Sequence, residues 1–283
     1  MLRIAIIMSA VLLAACQGRV TVDMATDAPA DINIAQVSVT LTGVEYRKSD
    51  GGVERLTFRN GMTVDLVDYI SGDPLRLFTN EDLPEGGYSG IRLLFDDDPS
   101  DDPVVIDLDG VSKPLNLATG DFADINFSVS ESNNSSDLMT VTLDLRQSLS
   151  YDEDSDEYTL RPYVRSVLTD DDAGDITGSV SATCPTGSSL GQGGAVYLFK
   201  GQDVVPDDRD GIGLEPYATT DVFDNGQGQF TYFLGFIPEG RYTIALTCQG
   251  DLEDPEEDNE LQFEAVDNVE VDNNETLIYD FGI

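Results

Sequence analysis

The chain has 283 residues, with 15 Lys+Arg against 54 Asp+Glu, no histidine and a formal net charge of −39. So acidic a surface excludes nucleic acid as a partner, because phosphates recruit Lys and Arg. The missing histidine removes the usual hydrolase triads and every His-ligated zinc site.

In chain order, the first element is a targeting segment. Arg3, the apolar run Ile4 to Leu13 and small residues before Cys16 have the form of a secretory signal, whereas a spanning helix needs roughly twenty apolar residues. Leu13-Ala14-Ala15-Cys16 reads as a bacterial lipobox. Residues 1–15 are therefore expected to be cleaved and Cys16 to carry acyl chains, each buried methylene adding about 0.8 kcal/mol of membrane affinity. Gln17 stands where an aspartate commonly signals inner-membrane retention, so the expected location is the outer membrane, on either its periplasmic or its surface face. Arg3 is the one cationic residue before Cys16, and its loss takes the net charge from −39 to −40.

Strands follow. Val37-Ser38-Val39-Thr40-Leu41, Ile125-Asn126-Phe127-Ser128-Val129 and Val141-Thr142-Leu143-Asp144-Leu145 alternate with period two. Ser49-Asp50-Gly51-Gly52 and Asp107-Leu108-Asp109-Gly110 read as hairpin turns. Only short segments such as Arg146 to Ser150 read as a helical turn, so the chain is expected to be all-β. Leu83-Pro84-Glu85-Gly86-Gly87-Tyr88 is echoed by Ile237-Pro238-Glu239-Gly240-Arg241-Tyr242, each leading into a strand. Pro presets φ, Gly takes the φ a side chain resists, and the tyrosine is expected to turn its ring inward and its hydroxyl to backbone. Composition changes at Asp170-Asp171-Asp172-Ala173-Gly174-Asp175, dividing the mature chain after the lipidated 16–17 into 18–170 and 171–283, each long enough for a core.

In the second segment, strands at Ile176–Thr183, Ala195–Lys200, Tyr217–Phe223, Gln229–Phe236 and Arg241–Thr247 run alternately up and down. Cys184 and Cys248 then share the upper end, and as an even pair in an oxidising compartment they are expected to be bridged. The same count sets Asp207–Asp210 at the lower end and Asp251–Glu260 at the upper. A metal site shared by both would require the loop Gly201–Pro216 to fold back. Phe230, Tyr232 and Leu234 occupy one face and Thr231, Phe233 and Gly235 the other, which reads as a buried central strand and not a sugar platform, with Phe236 unassigned.

Catalytic chemistry is thin. No Gly-x-Ser-x-Gly elbow, P-loop or dinucleotide fingerprint occurs. Carboxylate pairs hydrolyse glycosides, but 54 acids do not nominate a pair, and the chain is expected not to be an enzyme. Acids gather at Asp96–Asp102, Tyr151–Glu157, Asp207–Asp210 and Asp251–Glu260. Calcium takes six to eight oxygens. Asp152, Asp154 and Asp156 start like an EF-hand loop, yet Glu157 and Tyr163 stand where Gly and Glu belong. Asp207, Asp208 and Asp210 beside Gly211 are the candidate calcium ligands, because crowding carboxylates costs repulsion that a divalent ion relieves. A solvated loop without an ion is the competing reading of each cluster, and no cofactor is required.

Gly18-Arg19-Val20-Thr21-Val22, Thr26-Asp27-Ala28-Pro29-Ala30, Val64-Asp65-Leu66, the Leu83–Tyr88 turn before Ile91-Arg92-Leu93, and Leu160-Arg161-Pro162 come in an order that resembles the bacterial lipoprotein family called domain of unknown function 4382, over residues 18–170. Leu56-Thr57-Phe58 stands where many such sequences carry a tryptophan. The resemblance implies an exported β-sandwich and brings no activity and no catalytic residues. Gly178-Ser179-Val180 and Pro238-Glu239-Gly240-Arg241-Tyr242-Thr243 are similar to carboxypeptidase-regulatory or transthyretin-like sandwiches, which implies an accessory or binding module. The expectation is two immunoglobulin-like or transthyretin-like sandwiches on a lipid anchor, with a binding or structural role toward an envelope protein or glycan. The alternative is a calcium-dependent carbohydrate-binding or surface-attachment protein.

Overall fold

The structure, a computed structural model, describes residues 17–70, 72–96, 103–130 and 136–282. The signal segment, Cys16 and most of the acidic run 96–102 lie outside these residues.

The first half contributes β1 (Gln17–Asp27), β2 (Ile34–Lys48), β3 (Val53–Asp65), β4 (Leu75–Pro84), β5 (Gly86–Phe95), β6 (Val104–Asp107), β7 (Ser112–Leu117), β8 (Phe127–Val129), β9 (Ser136–Asp144), β10 (Leu149–Asp152), β11 (Glu157–Leu160) and β12 (Val164–Leu168). They form a four-stranded sheet in the order β12-β9-β1-β4, facing an eight-stranded sheet in the order β10-β11-β7-β6-β2-β5-β8 with β3 paired to β2. The long β2 organises the second sheet, pairing with β6 along its first half and with β5 along its second. Val37, Val39 and Leu41 point inward, after which the register slips at Gly43 and Val44 and Tyr46 take over the inner face. Gly43 makes this bulge at φ +155°, where a Cβ would lie 2.1 Å from the Leu56 carbonyl oxygen. One inserted residue thus flips the alternation that the sequence shows before it. Tyr46 crosses the core to donate to the Met139 sulfur at 3.4 Å.

A single helical turn, α1 (Leu145–Ser148), follows β9, with the Asp144 carboxylate accepting the Gln147 amide as its N-cap. The second half contributes β13 (Ala173–Ser181), β14 (Ala195–Lys200), β15 (Ala218–Asp221), β16 (Phe223–Asp224), β17 (Phe230–Pro238), β18 (Gly240–Thr247), β19 (Phe263–Val271), β20 (Thr276–Ile278) and β21 (Phe281–Gly282). One sheet runs β16-β17-β13-β20 with β21 also on β13, and the other runs β15-β14-β18-β19. Ile176, Val180, Tyr232 and Leu234 of the first pack on Val196, Leu198, Ile244 and Leu246 of the second. The protein is all-β, and a sandwich does follow the first one. The Cys184–Cys248 disulfide forms, with Cα atoms 5.7 Å apart. At Gly178 the returning chain passes so close that a Cβ would sit 1.7 Å from the Tyr279 carbonyl oxygen, so only glycine fits there.

The repeated turn behaves alike in both halves. The Tyr88 hydroxyl donates to the Pro84 carbonyl at 2.6 Å and the Tyr242 hydroxyl to the Pro238 carbonyl at 2.7 Å, with both rings buried. The glycines differ: Gly86 takes φ +144°, whereas Gly240 is not among the positive-φ glycines. Tyr88→Phe and Tyr242→Phe are each expected to lose about 1 kcal/mol, one hydrogen bond's worth, and the losses should add because the sites lie in different cores. Urea denaturation of the two singles and the double checks this; no loss in either single would contradict it.

Val196 and Leu198 face the second core, while Ala195, Tyr197 and Phe199 face the other way; all five are fully buried. That outer face, with Ala245, is covered by Val204 and Leu261 from the two long loops and by Phe263 at the start of β19. An uninterrupted apolar strand is what a sheet covered on both faces requires.

Candidate functional site

Three arginines are buried where the halves meet. Arg146, on α1, reaches from the first half into the second: it donates to the Gly250 carbonyl, to Glu253 Oε2 at 3.0 Å and to Asp221 Oδ1. The Tyr197 hydroxyl shares Glu253 Oε2. Arg165, on β12, is held by both oxygens of Asp27, at 3.2 and 2.9 Å, and donates onward to the Gly235 and Phe236 carbonyls. Phe236 sits at φ +57°, its amide on Asp175 and its carbonyl on Arg165. Arg209 reaches back from the second half, pairing with Asp144 Oδ2 at 2.8 Å and donating to Gln147 and to the Pro216 carbonyl. The arginine side chains are at most 6% exposed.

Burial dominates the electrostatics of this clasp. It pushes the carboxyls of Asp221 and Asp27 up to about 6, with Arg146 and Arg165 respectively pulling them back down. The Tyr197 hydroxyl is held well above its ordinary value by burial, with the Glu253 charge adding to it.

The acidic loops end up differently from the strand count. The loop Gly201–Pro216 does fold back: the Asn259 amide donates to Asp208 Oδ2, joining the 207–210 loop to the 251–260 loop. Two interactions draw it there, the apolar outer face that Val204 covers and the Arg209 clasp. The opposite-ends assignment of the two loops is therefore corrected. One carboxylate oxygen from each of Asp208, Asp210 and Asp258 lie within 4.8 Å of one another. Asp207 is not in that group; its Oδ1 accepts the Asp208 amide. Burial pushes the Asp208 carboxyl up to about 6, and the charges of Asp210, Asp207 and Glu253 add to it.

The other acid clusters serve their own turns. Asp152 caps the amides of Asp154 and Ser155, and Asp156 takes the Tyr151 hydroxyl and Lys113. Asp152, Asp154, Asp251 and Glu253 line an acidic cleft of about 800 Å³ between the halves. Phe233 packs over Gly72, where a Cβ would lie 2.3 Å from its ring, and with Phe236, Ala25 and Ile70 it lines a small pocket at the junction. Sequence reasoning missed the clasp entirely, and missed Asp258 as a member of the acid group. No helix among the described residues is long and apolar enough to cross a membrane.

Two β-sandwiches joined through buried arginines define an all-β architecture. The chain belongs to the family described as Domain of unknown function (DUF4382), whose family model matches residues 17–162. No curated protein sequence matches the chain. Among solved structures, similarity is found to the Bacillus anthracis TIE protein at 10% identity and a TM-score of 0.21, covering 93% of this chain and 34% of that one. A leucine-rich repeat protein from Bacteroides thetaiotaomicron matches at 9% identity and a TM-score of 0.21, covering 94% and 26%. The major pilin of Streptococcus pyogenes matches at 11% identity and a TM-score of 0.17, covering 93% and 97%. The chain thus spans about a third and a quarter of the length of the first two.

Proposed function

We propose that this chain is a non-enzymatic bacterial lipoprotein, anchored through Cys16 to the outer membrane, whose two sandwiches act as one rigid body in a structural or binding role at the envelope. The observation that carries the reading is the reciprocal clasp: two arginines pass one way across the junction and one passes back. Domains joined only by a linker move relative to one another by default; spending three of 15 Lys+Arg on a buried junction resists that motion and leaves the outer surface more acidic. Such a body suits a protein that presents one fixed surface from a lipid anchor. Its partner is an envelope protein or a glycan, since the charge repels nucleic acid and anionic headgroups.

Cell fractionation tests the anchor. The parent is expected in the outer-membrane density fraction and Cys16→Ala in the soluble fraction. A variant that stays with membranes overturns acyl anchoring.

A further inference from the structure

β1 starts at the residue after Cys16, and it starts as a fixed strand. Gln17 is paired with Pro84 of β4 and Gly18 with Leu83. Gly18 is buried, and a Cβ there would lie 2.5 Å from Val129 Cγ1, so the strand is packed from its second residue onward. Cys16 is one peptide unit upstream, and consecutive Cα atoms are about 3.8 Å apart. A lipid on Cys16 therefore has no linker between it and the sandwich. Acyl chains in the bilayer bring Cys16 to the membrane surface, and whatever surrounds Gln17 comes with it. Two turns share that end. The β4–β5 turn at Glu85 follows directly on Pro84, and the β2–β3 turn at Ser49–Gly52 is tied to it by the Ser49 amide, which donates to the Gly87 carbonyl at 2.9 Å. Their tips, Asp50-Gly51-Gly52 and Glu85-Gly86-Gly87, are small and polar, which suits a hydrated headgroup layer and not the hydrocarbon.

We propose that the 49–52 and 85–87 turns are the membrane-facing surface of this protein, seated on lipid headgroups by the short reach from Cys16 and not by affinity of their own. The inference rests on the lipid anchor proposed above. It also assigns the opposite end. β1 has 11 residues, about 33 Å at the rise of a strand. At its far end Asp27 holds Arg165, the parallel β9 ends on Asp144, which pairs with Arg209, and Pro29, Ala30 and Asp31 line the acidic cleft. The junction and the cleft are thus held away from the bilayer, by several times the Debye length of about 8 Å at physiological salt. Membrane charge does not reach them, and they stay open to a partner in the surrounding compartment.

Fluorescence quenching on vesicles tests this. The lipidated full chain is placed on phosphatidylcholine vesicles, which carry no net charge, containing headgroup spin-labelled lipid that quenches a fluorophore near contact. One fluorophore sits on a new thiol, at Glu85→Cys or at Gln227→Cys; both positions are exposed and the native pair is bridged. Gln227 lies in the turn after β16, whose Phe223 and Asp224 meet Ala28 and Pro29 just past the far end of β1. Flotation with the vesicles is measured first and reads the anchor alone. In the floating chain the label at 85 is expected to lose most of its emission and the label at 227 to keep its own. Inserting about twenty Gly/Ser residues between Cys16 and Gln17, with a reach of about 25 Å, should restore emission at 85 while the chain still floats. Equal quenching of the two labels in a floating chain overturns the orientation and leaves the anchor standing, as does quenching at 85 that survives the insertion. A chain that does not float overturns both.

Discussion

Replacing Arg146 by methionine is expected to cost about 3–5 kcal/mol at pH 7, the largest effect of any single side chain in the junction. Methionine fills much of the same volume and adapts to irregular space, so the loss is electrostatic and not a cavity. It strands Asp221 and Glu253 in a site where the arginine side chain is 1% exposed. Arg241→Met is the matching control: its partner Glu270 is 3.4 Å away, both side chains are about 60% exposed, and the expected loss is below about 1 kcal/mol. The pH dependence follows from the sign of the Asp221 shift. Its folded-state value, about 6, lies above the unfolded carboxylate value of about 3.9, so the folded protein holds a proton that the unfolded chain has released between those limits. Stability from this group is greatest at low pH and is lost as pH rises through 6. Removing Arg146 takes away the charge that pulls Asp221 down, so the variant depends on that proton more strongly and its deficit should shrink at pH 5. The chain has no tryptophan, so far-UV circular dichroism in urea at both pH values is the readout. A deficit below about 1 kcal/mol at pH 7, or one that grows on acidification, would contradict the clasp.

Much of the fold was legible because its signals are local. Val37 to Leu41 alternates and does point alternate residues inward; the Leu83–Tyr88 and Ile237–Tyr242 turns announce their tyrosine bonds by composition alone. The Ala195–Phe199 run was also readable in principle, since five apolar residues without alternation demand cover on both faces. Taking that cover seriously would have required the 201–216 loop to fold back, and with it the approach of Asp208 to Asp258. What no local pattern reveals is which of many acids are buried. Asp144 sits at the end of an alternating strand and reads as an outward polar residue, yet it is 1% exposed, because Arg209 arrives from 65 residues away in sequence. Long-range ion pairs leave no period. The one compositional hint is scarcity: with 15 cationic residues among 54 acids, each arginine has many competing partners, and only the fold decides among them.

The second large effect is expected from the Cys184–Cys248 bond, which closes a loop across a sequence separation of 64. In the chain-entropy account a loop of that length restricts the unfolded ensemble by about 4 kcal/mol. Reducing the parent isolates this contribution, because it changes no side-chain volume; Cys248 is fully buried in the second core and Cys184 packs against it, so the thiols should stay where they are. For a chain of this size, that loss lowers Tm by roughly 8–16 °C. The bond lies wholly in the second sandwich, while Arg146 and Arg165 project from the first, so the way the transition moves is informative. If the clasp couples the halves, reduction should shift a single cooperative transition downward. Combining reduction with Arg146→Met should then split it, with the second sandwich melting first. Two thiols titrating in the denatured, unreduced chain would refute the bond. Separate transitions in the untouched parent would refute the coupling, and with it the rigid body on which the structural role depends.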